Sequence, residues 1–251
     1  MSGAVRARGV AATHPGLKRR INEDRFCARP DLGLWAVADG MGGHAHGDWA
    51  SNAVVQALEG VALPADFHDA TRTVADAVHS ANRRIWAEAQ RRTQQMGSTV
   101  VALLVQQGCF SAIWVGDSRA YVLRDRVLHP LTRDHSQVQE MVDRGLISPE
   151  QARDHPRGHV LARAVGVGAR LEVDVVTDDA LPGDLFLLCS DGLTATTDEA
   201  TIAAVMALPD RQAALDRLIE GALAGGAPDN VTIVLVAVEE ATTLSLGRGV
   251  A

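Results

Sequence analysis

The sequence predicts an α+β fold with antiparallel strands, and two observations carry this prediction. Three apolar stretches follow one another across short turns within residues 97–124, a pattern typical of an antiparallel meander. Two further stretches, 67–92 and 198–223, have apolar residues at helical spacing. Strands and helices therefore do not alternate strictly, as they do in a nucleotide-binding fold.

The composition is compatible with one domain in a reducing compartment. The chain has 251 residues, 47% of them hydrophobic, so it can form a sizeable core, and we expect a single domain over 1–251. With 24 basic and 31 acidic residues and no lysine or arginine block, the net charge of -7 argues against nucleic acid as a partner. Three widely spaced cysteines and the lack of a long apolar segment lead us to expect a cytoplasmic protein without a membrane span.

The first part of the chain is predicted to contain two helices. Residues 1–12 form a short strand or a frayed end, and 13–24 form a polar segment. Asp48 is predicted to cap a helix that ends at Gly60, and a second helix is predicted over 67–92.

The second part is predicted to add an insertion and three more strands. The polar segment around 134–163, with short helices at 136–144 and after Ser148, is predicted to lie over the edge of the sheet. Later elements are the strands 171–176, 184–190 and 231–238, two helices within 198–223 that are broken at Pro209, and a loose tail over 240–251.

Four aspartates stand at the ends of apolar runs. Asp39, Asp117 and Asp191 each follow such a run, and Asp229 precedes another. A single Asp-Gly pair more often marks a turn, but hairpin turns do not require an acid at every buried run. If the strands pair in one core, the four carboxylates can converge at one rim, where they would need cations at neutral pH.

The type of side chain indicates which cation is expected. Ligands that are all oxygen favour Mg²⁺ or Mn²⁺ over Zn²⁺, and the nine histidines show no paired helical spacing of a zinc site. Arg19 carries a planar guanidinium that suits a phosphate group, and Glu23 is close to it in sequence. The alternative for the charged segment around Arg19 is an ordinary solvated loop.

These residues lie in motifs that resemble a known family. The motifs resemble, in order, those of the metal-dependent serine/threonine protein phosphatases of type 2C, especially the bacterial members, over about residues 13–238. They are Arg19-Arg20-Ile21-Asn22-Glu23-Asp24, Asp39-Gly40-Met41-Gly42-Gly43-His44, Gly97-Ser98-Thr99, Val115-Gly116-Asp117-Ser118-Arg119-Ala120-Tyr121, Ser190-Asp191-Gly192 and Asp229-Asn230-Val231-Thr232.

The resemblance implies a four-layer α/β/β/α sandwich, with two antiparallel sheets flanked by helices and a mobile flap over about 134–163. It implies that Asp39 bridges two Mn²⁺ or Mg²⁺ ions. The Gly40 carbonyl and Glu23 would bind one ion, Asp191 and Asp229 the other, and Asp117 with Asp191 a weaker third ion. Arg19 would bind the phosphate.

The implied reaction is hydrolysis of phosphoserine or phosphothreonine by a hydroxide that bridges two ions. Met41 stands where many eukaryotic relatives have histidine, so His44 or a metal-bound water is the candidate proton donor. In the flap, His159 replaces the usual asparagine, whereas His155-Pro156 and Arg163 fit the family.

The implied partners are phosphorylated proteins and a bacterial serine/threonine kinase whose action the enzyme opposes, with the enzyme acting as a monomer. Two alternatives stay open. One is a catalytically silent module that binds phosphoproteins, although such relatives typically lose metal aspartates and none is lost here. The other is a metal-dependent phosphatase of small metabolites.

Overall fold

The computed structural model describes residues 5–43, 45–153, 155–158 and 160–241, in which the strands form two antiparallel sheets. Elements are numbered in chain order. The strands of the first sheet, in spatial order, are β1 (Val5–His14), β11 (Val231–Glu240), β10 (Leu185–Cys189), β7 (Arg119–Arg124) and β8 (Val127–Pro130).

The second sheet has the meander at its centre. Its strands, in spatial order, are β2 (Asp24–Arg29), β3 (Leu34–Met41), β5 (Val100–Gln106), β6 (Cys109–Val115) and β9 (Asp174–Asp179). The short strand β4 (Gly97–Ser98) pairs with the end of β3, where Gly40 lies opposite Ser98.

The helices divide between the two sheets and the insertion. They are α1 (Ala45–Glu59), α2 (Phe67–Arg92), α3 (Gln137–Asp143), α4 (Pro149–Arg153), α5 (Asp191–Thr194), α6 (Glu199–Met206) and α7 (Arg211–Ala224). Within the described ranges, none of these helices has the length and apolar character needed to span a bilayer.

Because side chains alternate between the two faces of each strand, the two sheets pack against each other and each sheet also packs against helices, which gives four layers. On β3, Leu34 and Ala36 pack against the helices α1 and α2, whereas Trp35 and Val37 pack between the two sheets. On β10, Phe186 faces the second sheet and Leu187 faces α6 and α7. Successive side chains of a strand point to opposite faces, so each sheet is buried on both sides. The predicted fold, two antiparallel sheets flanked by helices, is confirmed.

Strand direction brings the four aspartates to one rim. Because β3 and β6 both pair antiparallel with β5, they run in the same direction and end at the same edge of their sheet. In the other sheet β10 is antiparallel to β11, so the end of β10 lies beside the start of β11. Asp39 lies at the end of β3, Asp117 just after β6, Asp191 just after β10 and Asp229 just before β11.

Several elements differ from the sequence-based expectation. The strand β1 begins at Val5 and pairs with β11 along its whole length, so the sheet includes residues before position 13. The first helix starts at Ala45, which places Asp48 inside its first turn, where it pairs with Arg25 instead of capping. The strand expected over 171–176 is shifted to Asp174–Asp179, and β8 and α5 were not predicted. The expected tail lies mostly outside the described residues, and β11 continues to Glu240.

Candidate metal centre and catalytic cleft

A cavity of about 930 Å³ opens at the rim where the two sheets meet. Seven of the eight predicted site residues line it: Arg19, Glu23, Asp39, Gly40, Asp117, Asp191 and Asp229. The eighth, His44, lies outside the described residues, as does His159. The cavity is also lined by the end of the flap and by residues that follow it, namely 160–164, 167, 168, 170 and 171.

The backbone of Asp39 is fixed by the neighbouring β4 segment. The Asp39 N–H donates to Thr99 Oγ1 at 3.0 Å, and the Asp39 carbonyl accepts from the Thr99 N–H at 2.8 Å and from Ser98 Oγ at 3.0 Å. The next residue must be glycine, because a Cβ on Gly40 would lie 2.1 Å from the Gly47 carbonyl oxygen. This close approach seats the N-terminal turn of α1 directly against the end of β3.

The buried side chain of Asn230 forms three hydrogen bonds with the loop that carries Arg19 and Glu23. Its Oδ1 accepts from the Glu23 N–H at 2.8 Å, and its Nδ2 donates to the carbonyls of Pro15 and Ile21, both at 3.0 Å. No role was predicted for Asn230 from the sequence. Its position directly after Asp229, at the start of an apolar run, is the signal that could have pointed to it.

Asp117 lies in a bend just after β6, and Asp191 is the first residue of α5, just after β10. The Gly116 N–H, just before Asp117, donates to Nδ1 of His135 at 3.1 Å, and the His135 N–H donates to the Gly116 carbonyl at 2.9 Å. After Asp191, a Cβ on Gly192 would lie 1.9 Å from the Asn230 carbonyl oxygen. The start of the flap and the start of β11 therefore both pack against this acidic rim.

Each carboxylate of the rim disfavours the ionised form of its acidic neighbours. Burial, reinforced by Asp24, Asp191 and other nearby acids, raises the pKa of Asp39 well above its usual range. Burial, with Asp191 as the next cause, raises the pKa of Asp117 to about 7. Such a cluster favours bound cations, which stabilise the ionised carboxylates.

Asp24 is a further buried acid that the site prediction did not include. It lies opposite Asp39 in the β2–β3 pair, is fully buried, and accepts from Ser190 Oγ at 2.8 Å. Burial raises its pKa to about 7, although the Ser190 and Thr232 hydroxyls favour the ionised form. Asp24 thus adds a carboxyl behind the rim, and the sequence already showed it next to Glu23.

Arg19 currently pairs with one of the candidate ligands. Its Nη2 donates to Asp229 Oδ2 at 2.7 Å, with both side chains partly exposed. Among the described residues, no three acidic, imidazole or thiol side chains already surround a single point suitable for an ion. The donor set nevertheless fits hard divalent cations, because it consists of buried carboxylates and a backbone carbonyl at one rim.

The comparison with known proteins identifies the family. The sequence model of the family "Protein phosphatase 2C" matches residues 18–220 of this chain. The chain belongs to this family. The resemblance seen in the motifs is therefore confirmed.

Bacterial members of the phosphatase 2C family are similar along most of this chain. The serine/threonine protein phosphatase PstP of Mycobacterium tuberculosis is 39% identical over 230 residues, which are 91% of this chain but 44% of PstP. This chain therefore spans less than half the length of that relative.

Solved structures show the same similarity. PppA, described as a key regulatory component of T6SS in Pseudomonas aeruginosa, has a TM-score of 0.87 at 39% identity, with 93% of this chain and 98% of PppA covered. The catalytic domain of PstP in complex with two manganese ions has a TM-score of 0.84 at 36% identity, with 94% and 100% covered.

Proposed function

We propose that this chain hydrolyses phosphoserine and phosphothreonine in proteins with the help of Mn²⁺ or Mg²⁺. One observation carries the proposal: acids from both sheets, together with Arg19, line the same cavity. The family membership and the manganese-containing relative support it. Because none of the predicted acidic positions has been replaced, the chain keeps the donor set that a silent binding module typically loses.

We assign the ion-binding roles to the residues as the motifs suggest. Asp39 would bridge two ions, with Glu23 and the Gly40 carbonyl on one and Asp191 and Asp229 on the other. Asp117 and Asp191 would hold a third. When bound, the ions supply Lewis-acid activation of the attacking water and neutralise phosphoryl charge.

The chain's own residues bind and orient the phosphorylated side chain. Arg19 would grip two phosphoryl oxygens with its guanidinium, whose hydrogen bond to Asp229 uses only one of its five N–H donors. Hydrolysis forms a bond between phosphorus and the water oxygen and breaks the bond to the serine or threonine oxygen, which takes up a proton. His44 or a metal-bound water remains the predicted donor of that proton, and His44 lies outside the described residues.

The setting we propose is a reducing, cytoplasmic one in which the enzyme reverses the action of a bacterial serine/threonine kinase. The cysteines support such a compartment, because Cys27, Cys109 and Cys189 are all free thiols. Burial raises the pKa of Cys27 and of Cys189 to about 12, so both are unreactive packing residues. The acidic set is complete within one chain, which supports a monomer.

The test measures phosphate release from a phosphothreonine peptide with Mn²⁺, together with Mn²⁺ binding by calorimetry. We expect chelator to abolish turnover and Asp39→Ala or Asp191→Ala to reduce it at least ~100-fold while weakening Mn²⁺ binding. Asp76→Ala, which removes an exposed acid of α2, is the matched control. Turnover that persists in chelator would contradict the metal role. Binding of the phosphopeptide without turnover, with Mn²⁺ bound, would support the silent module.

A further inference from the structure

Residues 165–170, which we call the wall segment, contribute Val167, Gly168 and Arg170 to the lining of the cleft. Asn82 of α2 holds it from behind and is only 2% exposed. Its Oδ1 accepts from the Gly166 N–H at 2.7 Å, and its Nδ2 donates to the Gly168 carbonyl at 2.9 Å. The wall segment is therefore attached to a core helix by one buried and one partly buried hydrogen bond.

A second attachment joins the wall segment to the acidic rim. The Ser98 N–H donates to the Val165 carbonyl at 2.9 Å, and the Val165 N–H donates to the Ser98 carbonyl at 2.8 Å. Ser98 in turn pairs with Gly40 at the end of β3. The wall segment thus has a fixed position relative to the candidate metal ligands, as a surface that selects substrates requires.

The wall segment presents one apolar and one cationic side chain at the cleft. Val167 is 54% exposed and lines the cavity, next to Val160 from the end of the flap, which is 40% exposed. Arg170 is exposed and lines the same cavity. Exposed apolar side chains that line a cleft with a cation are typical of binding surfaces for peptides.

The arginines of the cleft differ in their partners. Arg19 is paired with Asp229, and Arg163 donates to Asp174 at 2.8 Å while lying 3.5 Å from Glu172. Arg170 forms no ion pair or side-chain hydrogen bond with any part of the chain that the structure describes. Its guanidinium is therefore available to a group from another molecule.

We infer that Arg170 binds a carboxylate of the protein substrate, from an aspartate or glutamate near the phosphorylated residue, while Val160 and Val167 contact the neighbouring apolar atoms. This specificity role rests on the proposed phosphatase function. An acidic flanking residue needs such a local cation, because the chain carries a net charge of -7. The acidic rim, which we also call the floor of the cleft, adds the carboxylates of Asp39, Asp117, Asp191 and Asp229. Arg170 offsets that repulsion on the wall and directs the acidic side chain away from the floor.

The test compares phosphothreonine peptides in which one aspartate or one lysine is moved through the positions on either side of the phosphothreonine. The measured quantity is the ratio of kcat/KM for the aspartate peptide to that for the lysine peptide. We expect the wild-type ratio to exceed one at one or more positions, through a lower KM. Arg170→Glu should lower that ratio at least about fivefold, Arg170→Lys should largely retain it, and added salt should reduce it.

Arg217→Glu is the matched control, since it makes the same change in charge at an exposed position of α7 on the outer helical layer. A drop in the ratio with Arg170→Glu but not with Arg217→Glu supports the role. No acidic preference at any position, or a preference that Arg170→Glu leaves intact, overturns it.

Turnover of a small aryl phosphate by the wild-type protein is measured in parallel. If neither the aryl phosphate nor the peptides are turned over with Mn²⁺ present, the proposed phosphatase function is wrong, and so is the specificity role that rests on it.

Discussion

Two buried asparagines fix the two sides of the cleft, and they differ in how the sequence reveals them. Asn230 ties the Arg19–Glu23 loop to the acidic floor, and Asn82 ties the wall segment to α2. Asn230 directly follows a candidate metal ligand at the start of a strand. Asn82 lies inside a long helix, 84 residues before the glycine whose N–H it accepts. The floor is therefore fixed close to the motifs, whereas the wall depends on a contact between distant parts of the chain.

The largest effect is expected at the floor, from Asn230→Ala. This change leaves the Glu23 N–H and the carbonyls of Pro15 and Ile21 without their partner, which we expect to destabilise the fold by about 2–4 kcal/mol. Displacement of Arg19 and Glu23 should also lower kcat/KM at least ~10-fold and raise the Mn²⁺ concentration needed for activity. Urea unfolding and Mn²⁺ titration of turnover measure the two effects.

Asn52→Ala provides the control for that experiment, because Asn52 of α1 has no side-chain hydrogen bond to any residue that the structure describes. We expect it to change stability by less than about 1 kcal/mol. If Asn230→Ala had the same stability and the same Mn²⁺ dependence as Asn52→Ala, the Arg19–Glu23 loop would not depend on Asn230. The proposed difference between the floor and the wall would then be wrong.

A smaller effect is expected at the wall, from Asn82→Ala. The Gly166 N–H loses its buried acceptor, and we expect a loss of about 1–3 kcal/mol in the free energy of unfolding. Since this residue acts through the position of the wall segment, the preference for acidic peptides should fall more than the turnover of a small aryl phosphate. Equal loss of both activities would show that Asn82 supports the whole cleft and not the wall alone.

The sequence predicted the floor because each of its aspartates has a local signal: Asp39, Asp117 and Asp191 each stand at the end of an apolar run. Strand pairing brings Asp39 and Asp117 to one edge of their sheet, and packing of the two sheets adds Asp191. The wall could not be predicted in this way. Residues 165–170 form no regular strand or helix, and their position depends on Asn82 and Ser98. The shift of β9 to Asp174–Asp179 has the same cause, since residues 171–173 belong to the segment that leaves the cleft.

The boundary of the first sheet was missed for a related reason. The apolar residues of 5–14 are all small, either valine or alanine, yet β1 pairs with β11 from Val5 to His14. Its strand conformation comes from ten backbone positions paired with the apolar strand β11, so tertiary pairing outweighs the weak local preference.

The smallest effect is expected at His135, which lies between floor and wall. Its Nδ1 accepts from the Gly116 N–H, and its Nε2 lies 3.2 Å from Asp174 Oδ2, the carboxylate that also binds Arg163. Burial, followed by the charge of Arg163, lowers the pKa of His135 below its usual value of about 6.5. The neutral ring is favoured because a proton on Nδ1 would face the Gly116 N–H.

The stability that the neutral His135 contributes should be fully present above about pH 6.5 and should decline as the pH falls through the lowered pKa. Asp174 stays ionised through this range, because its hydrogen bonds with Arg163 and His135 outweigh its burial and lower its pKa. We expect His135→Asn to flatten the acid side of the stability curve by less than about 1 kcal/mol. The measurements are the NMR titration of the His135 ring and the unfolding midpoint against pH. A ring that titrated above 6.5 would mean that Asp174 dominates Arg163, and the flap would then be attached more firmly in acid, the opposite of what this geometry predicts.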